Sequence, residues 1–211
     1  GLGVCILEHR HLQRGSVDPN PLFWRPKTPP RENVPAMSVI TVVSGLPRSG
    51  TSMMMRMLEA GGMPVLCDGV RTADEDNPRG YYEFEAVKRT CDDPSWLDAA
   101  DGKAVKIVYR LLYDLPAQHQ YRVLFMERSM DEVLASQRTM LTRAGRNPDD
   151  TDDAKLRQTF ADELSKCLAW IETKANFSLH KVSYQRMVTE PRDEAASVVD
   201  FLDVVLDVTA R

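Results

Sequence analysis

The chain has 211 residues, a length that holds one α/β domain or one domain with an appendage. Its 43% hydrophobic and 27% charged content is ordinary for a globular protein, and a net charge of -4 argues against a generic nucleic-acid binder, which carries a basic balance. No apolar run reaches the roughly 18 residues of a membrane helix, and the four cysteines (Cys5, Cys67, Cys91, Cys167) form no CxxC pair, so no zinc site or disulfide framework is signalled and a reducing, cytoplasmic setting is expected.

Residues 1–36 include the proline-rich NPLFWRPKTPPRENVP, which has neither helical nor strand period and reads as an extended arm. The folded domain is expected over 37–211. SVITVVS (38–44) is a β-branched apolar run suited to a fully buried strand. The turn GLPRSGTS (45–52) follows, then a predicted helix over 52–62 that ends at Gly61-Gly62. MPVL (63–66) suits a short strand, and residues 68–83 form a long polar loop ending in NPRGYYE. Strands are predicted over 103–109, 121–127 and 177–184. Helices are predicted over 129–145 with Ser129 as cap, over 151–175, and over 191–205 with Pro191 in the first turn. This alternation predicts an α/β fold with a central, mostly parallel sheet flanked by helices on both faces; with the glycine turn at 45–52 after its first strand, the expected class is a P-loop three-layer sandwich.

Gly45 and Gly50 have the spacing of a Walker A loop, but Thr51 stands where that motif needs lysine. A strand, a glycine turn and a helix still surround an anion with backbone N–H groups. Ser49, Thr51 and Ser52 add hydroxyls, and Arg48 adds a forked cation. A Walker B aspartate is absent as well: the strand VLFME ends at Glu127 and runs into Arg128. Two parts of an NTP–Mg²⁺ site are therefore missing, and no metal is required. A ligand with a 5′-phosphate and no triphosphate fits better. A second anion contact is available from Arg128 at a strand end and Ser136 eight positions later.

Together these segments resemble the sulfotransferase family that uses 3′-phosphoadenosine 5′-phosphosulfate (PAPS). Pro47-Arg48-Ser49-Gly50-Thr51-Ser52 is similar to its 5′-phosphosulfate loop. Arg128 and Ser136 match its 3′-phosphate motif, and VSYQRMVTEP (182–191) looks like its later strand-and-proline segment. The matches run in the family's order over about residues 38–205. The arginine form of the loop is closer to the bacterial and tyrosylprotein branch than to cytosolic enzymes with lysine there. PAPS carries two anionic ends and no triphosphate, which agrees with the missing lysine.

The resemblance implies transfer of a sulfuryl group from PAPS to a hydroxyl or amine, with release of 3′,5′-ADP. Arg48 would stabilise the leaving phosphate; Ser49, Gly50, Thr51 and Ser52 would complete the 5′ cradle. Arg128 and Ser136 would hold the 3′-phosphate. Tyr184 stands where the family's tyrosine meets adenine; packing in the core is the equal alternative. The family's base is a histidine or a glutamate, and no histidine is suitably placed here. Among Asp68, Asp74, Glu75, Asp76 and Glu83, the choice falls on Glu83 and Asp68. Lys106 near a strand end would support the leaving group. The acceptor class stays open among small molecules, sugars, lipids and peptides. A P-loop kinase or NTPase and a non-catalytic nucleotide-binding relative are the alternative functions. Met53, Met54, Met55 and Met57, with Trp96 and Trp170, read as packing residues.

Overall fold

The computed structural model describes residues 38–71, 77, 80–147 and 152–206. The proline-rich arm, Met37, Pro78, Arg79 and the base candidates Asp74, Glu75 and Asp76 lie outside the described residues.

The β-branched run forms β1 (Val39–Gly45), whose last six residues are buried. It is the middle strand of a five-stranded sheet with β2 (Val65–Leu66), β3 (Ala104–Lys106), β4 (Gln120–Glu127) and β5 (Phe177–Ser183), in the order β2-β3-β1-β4-β5. Every pairing is parallel. Burial on both sides explains why β1 reads as a continuous apolar run rather than an alternating one.

Alternate residues of each strand serve opposite layers. Ile40, Val42, Val105, Val123 and Phe125 pack with Val133 of α2 (Met130–Arg143) and with Cys167 and Ile171 of α3 (Asp153–Glu172). Val43, Leu124, Met126 and Val182 pack with Met54, Met55 and Leu58 of α1 (Thr51–Ala60) and with Val198 and Leu202 of α5 (Pro191–Leu202). Each large side chain removed from water contributes about 1.5–3 kcal/mol. Met54 and Met55 sit fully in the core, and Met53 and Met57 pack partly against it, so the methionine run is packing. Trp96 is buried and donates to Thr90 Oγ1 at 3.1 Å; Trp170 packs edge-on to Phe177 with ring centroids 5.3 Å apart.

Several boundaries differ from those predicted. The strand expected over 103–109 ends at Lys106, because the chain turns into a 3₁₀ helix (Tyr109–Asp114). That turn is anchored to α3: the Tyr109 hydroxyl and the Arg110 guanidinium both bond Glu163. The strand expected to reach Tyr184 stops at Ser183, whose hydroxyl accepts the Arg186 N–H at 3.3 Å and starts a short helix, α4 (Tyr184–Thr189). Ser129 stands at the start of α2 but makes no side-chain cap; Asp131 and Glu132 supply negative charge to that helix end instead. Asp152 caps α3 through the Lys155 N–H. Two further 3₁₀ helices (Glu85–Arg89 and Ser95–Ala100) are too short for their sequences to carry a period. Among the described residues, no helix is long and apolar enough to cross a membrane.

Candidate functional site

All strands point the same way, so their C-terminal ends open on one edge. Gly45 lies beside Met126, Val43 beside Lys106, and Glu127 beside Ser183. The loop after β1, Lys106, Arg128 and Tyr184 therefore emerge as neighbours. Since β1 is flanked by β3 and β4, this edge is also where the strand order reverses, the usual ligand crevice of open α/β sheets.

The loop 45–50 is shaped by left-handed backbone at Gly45 (φ 141°), Arg48 (φ 72°) and Gly50 (φ 101°). A Cβ at Gly45 would stand 2.8 Å from the Met126 carbonyl oxygen, and one at Gly50 2.6 Å from the Tyr184 ring. Only glycine lets the loop press so closely against β4 and Tyr184. Arg48 has no such licence, and its conformation costs on the order of 1–2 kcal/mol. Two hydrogen bonds hold it there. Arg128 Nη1 donates to the Arg48 carbonyl at 2.9 Å, and Arg48 Nε donates to Ser136 Oγ at 2.9 Å. The residues read as two separate phosphate contacts thus meet at one point. Ser49 is buried, and its hydroxyl has no hydrogen-bond partner among the described residues.

Arg128 is itself fixed. Its Nε donates to Glu132 at 2.9 Å, and its guanidinium carbon lies 4.1 Å from the centre of the Tyr184 ring. Tyr184 is therefore stacked on Arg128 and packed against Gly50. The corner that carries Tyr184 is secured by Glu194, a buried acid missed in the sequence. It accepts the Ser183 N–H at 2.8 Å and pairs with Arg186 at 3.3 Å.

A cavity of about 490 Å³ opens beside the loop. Arg48, Gly50, Thr51, Ser52, Arg128 and Tyr184 line it. Lys106 and Glu83 line it as well, along with Phe84, Val87, Val108 and Leu111. A second hollow of about 400 Å³, lined by Ser49, Arg128, Ser129 and Ser183 among others, adjoins Arg128.

Lys106 is nearly buried, with its side chain 10% exposed. Its ammonium bonds the Tyr81 carbonyl and lies 3.5 Å from both Ser52 Oγ and Glu83 Oε1. Burial pushes its pKa down, and the nearby Glu83 charge partly opposes that. Ser52 also donates to the Tyr81 carbonyl, at 3.1 Å, so it ties α1 to the segment before Glu83. Glu83 receives both its cations on one oxygen: Arg71 Nη1 at 2.9 Å and Lys106 at 3.5 Å reach Oε1. Oε2 makes no hydrogen bond among the described residues.

Asp68 contrasts with Glu83. It is not among the residues lining the cavity, and its two oxygens accept the Val70 N–H at 3.0 Å and the Glu85 N–H at 2.6 Å. Those backbone bonds, Glu85's first, hold its carboxyl below the ordinary value. The structure thus brings together Arg48, Ser49, Gly50, Thr51, Ser52, Arg128, Ser136 and Tyr184, with Lys106 and Glu83 joined to them at Ser52, and leaves Asp68 off the cavity lining. Arg71 went unnoticed in the sequence. It stacks on Tyr81, with 3.4 Å from guanidinium carbon to ring centre, and braces Glu83. Its only sequence signal is the paired aromatics of NPRGYYE. Among the described residues, no three His, Cys, Asp or Glu side chains gather as metal ligands would.

No protein-family profile matches the chain. No curated protein matches it either. Among solved structures, a sulfotransferase domain from the curacin biosynthetic pathway matches with a TM-score of 0.46 and 16% identity, over 79% of this chain and 74% of that one.

Proposed function

We propose that the protein transfers a sulfuryl group from PAPS to a hydroxyl or amine acceptor. The observation that carries this reading is the meeting of Arg48 and Arg128 at a phosphate-type loop that has no Walker lysine. The donor's chemistry suits these residues. A left-handed loop closed by a helix start offers N–H groups to one anion. The buried Ser49 hydroxyl, without a partner among the described residues, is one more donor at the same turn. Arg128, braced by Glu132 and Tyr184, borders the second hollow, where the nucleoside end with its 3′-phosphate has room.

In the proposed reaction the acceptor oxygen or nitrogen attacks sulfur from the Glu83 side. A new bond to sulfur forms while the bond between sulfur and the bridging 5′-phosphate oxygen breaks. The electron pair leaves on that oxygen, giving 3′,5′-ADP. Arg48 and the loop N–H groups stabilise the charge that develops there. Glu83 takes the acceptor's proton on Oε2, the oxygen without a bond among the described residues. Arg71 and Lys106, both on Oε1, hold the carboxylate in place. Asp68 is the poorer base, because both its oxygens are occupied and its carboxyl is hard to protonate.

Ser136 has two possible duties in this scheme: binding the 3′-phosphate, or aiming Arg48 through their direct bond. The bond from Arg48 Nε to Ser136 Oγ supports the second. The direct test is incubation with PAPS labelled in the sulfuryl group and a pool of hydroxyl and amine compounds. The expected result is label on an acceptor, with an equal amount of 3′,5′-ADP formed. Tight donor binding with no labelled product from any acceptor class would favour a non-catalytic relative.

A further inference from the structure

The half of the cavity away from the loop has a charge pattern that the donor does not explain. Six cationic side chains line the whole cavity (Arg48, Arg56, Arg71, Lys88, Lys106 and Arg128), against the single acid Glu83 among the described residues. The donor accounts for Arg48 and Arg128. Four cations then remain (Arg56, Arg71, Lys88 and Lys106), and among the described lining residues Glu83 balances at most one of them. Arg56 makes no ion pair among the described residues. It stands one helical turn past Ser52 on α1, hence on the face that meets the Tyr81 segment. Among the described residues Lys88 pairs only with Glu85, at 2.6 Å and three residues away on an exposed turn. Such exposed pairs are weak and exchange readily for another anion. Arg71 leans over Tyr81, and its charge acts on both Lys88 and Lys106.

This excess is local, since the chain as a whole carries -4. It faces an apolar wall made by Phe84, Val87, Val108 and Leu111. A concave basic rim beside an apolar wall concentrates anions that also bury hydrocarbon. Resting on the sulfotransfer reading of the same cavity, we infer that the acceptor is an amphipathic anion. Its apolar body packs on Phe84, Val87, Val108 and Leu111, its carboxylate or other oxyanion is held by Arg56, Arg71 and Lys88, and its hydroxyl or amine reaches Glu83. A neutral sugar or sterol satisfies the wall and leaves the rim unanswered.

The test is calorimetric titration of the whole chain with two acids, hydroxyphenylpropanoate and hydroxydecanoate, and with their methyl esters. Each is measured without donor product and again with saturating 3′,5′-ADP. At least one acid is expected to bind about 10-fold or more tighter than its ester, with the preference shrinking as salt is raised. In the double variant Arg56→Gln/Lys88→Gln that preference disappears, while ester binding and 3′,5′-ADP binding stay within about 2-fold. An unchanged unfolding midpoint shows that the variant is folded, and single Arg56→Gln serves if the double variant is not. Equal binding of acid and ester, no binding of either acid, or a preference that survives in the folded variants overturns the inference. The two readings fail separately. Absence of 3′,5′-ADP binding with the acid preference intact removes the sulfotransfer reading and leaves the anion site; 3′,5′-ADP binding without the preference does the reverse.

Discussion

On the loop side of the cavity, backbone geometry fixes the site; on the far side, side-chain pairs do. Gly45 and Gly50 cannot take a Cβ without striking Met126 or Tyr184, and Arg48 is pinned at both its carbonyl and its guanidinium. The far side hangs on Arg71, Tyr81 and Glu83, carried by an irregular stretch before a single short 3₁₀ turn, and on Lys106 at the end of β3. The difference follows from the task assigned to each side. Charge develops at one fixed place on the donor, and a preorganised cradle serves it best. A pocket for a second substrate needs shape and charge, which side chains can supply.

The sharpest way to break this contrast is Arg48→Gly. Glycine accepts the left-handed conformation, so the loop keeps its path and stability is expected to change by no more than about 1 kcal/mol. Transfer is expected to fall about 10²–10³-fold, as when one oxyanion donor is lost. Urea unfolding and initial rates of 3′,5′-ADP release check the two halves of that statement. Near-normal turnover removes Arg48 from the chemistry.

On the far side, Glu83→Gln is expected to lower kcat about 10²-fold with little change in donor affinity, the usual scale for a general base. Asp68→Asn is expected to leave kcat within about 2-fold and to cost about 1 kcal/mol of stability, since it weakens acceptors for two backbone N–H groups. Rates and unfolding midpoints for the pair decide between the two acids, and the opposite pattern would give the role to Asp68.

Gly50→Ala tests the backbone half directly. The new methyl meets the Tyr184 ring at 2.6 Å with φ at 101°, and a loss of about 2–3 kcal/mol is expected in urea unfolding. A smaller effect belongs to Ser136→Ala, about 1 kcal/mol in donor binding from one lost hydrogen bond. If Ser136 acts by aiming Arg48, adding Ser136→Ala to Arg48→Gly costs nothing further; a direct phosphate contact makes the two losses add.

The smallest expected effect concerns pH. Burial and an acid partner push Tyr82 and Tyr109 up to about 12, from an ordinary 10.0. Below pH 10 both folded and unfolded chains keep these protons. Between 10 and 12 the unfolded chain loses them first, so stability falls as pH rises through that window. Tyr109→Phe is expected to flatten the fall, read as the change in unfolding midpoint between about pH 9 and about pH 11.

The same contrast explains what the sequence disclosed. The loop announced itself because its chemistry is local: two glycines at fixed spacing, an arginine and hydroxyls between a buried strand and a helix. The sheet was legible for a similar reason, through β-branched runs buried on both faces. The bond between Arg48 and Ser136 was not, because it spans 88 residues and depends on how α2 lies over the loop. Nor was the choice between Asp68 and Glu83. Fifteen residues apart in one polar stretch, they differ only in partners: Asp68 turns both oxygens to backbone, and Glu83, with Arg71 and Lys106 on Oε1, keeps Oε2 unbonded among the described residues. Glu194 left no sequence trace and Arg71 only the paired aromatics that follow it, since a charge in a loop or in a helix's first turn reads as solvated until its burial or stacking partner is known.

The measurement that bears most directly on the central claim is calorimetric titration with 3′,5′-ADP, set against 5′-AMP and ATP–Mg²⁺. The account predicts tight binding of 3′,5′-ADP, much weaker binding of 5′-AMP, and loss of 3′,5′-ADP binding in Arg128→Ala. Binding of ATP–Mg²⁺ without 3′,5′-ADP would contradict it and make the site that of a P-loop kinase or NTPase.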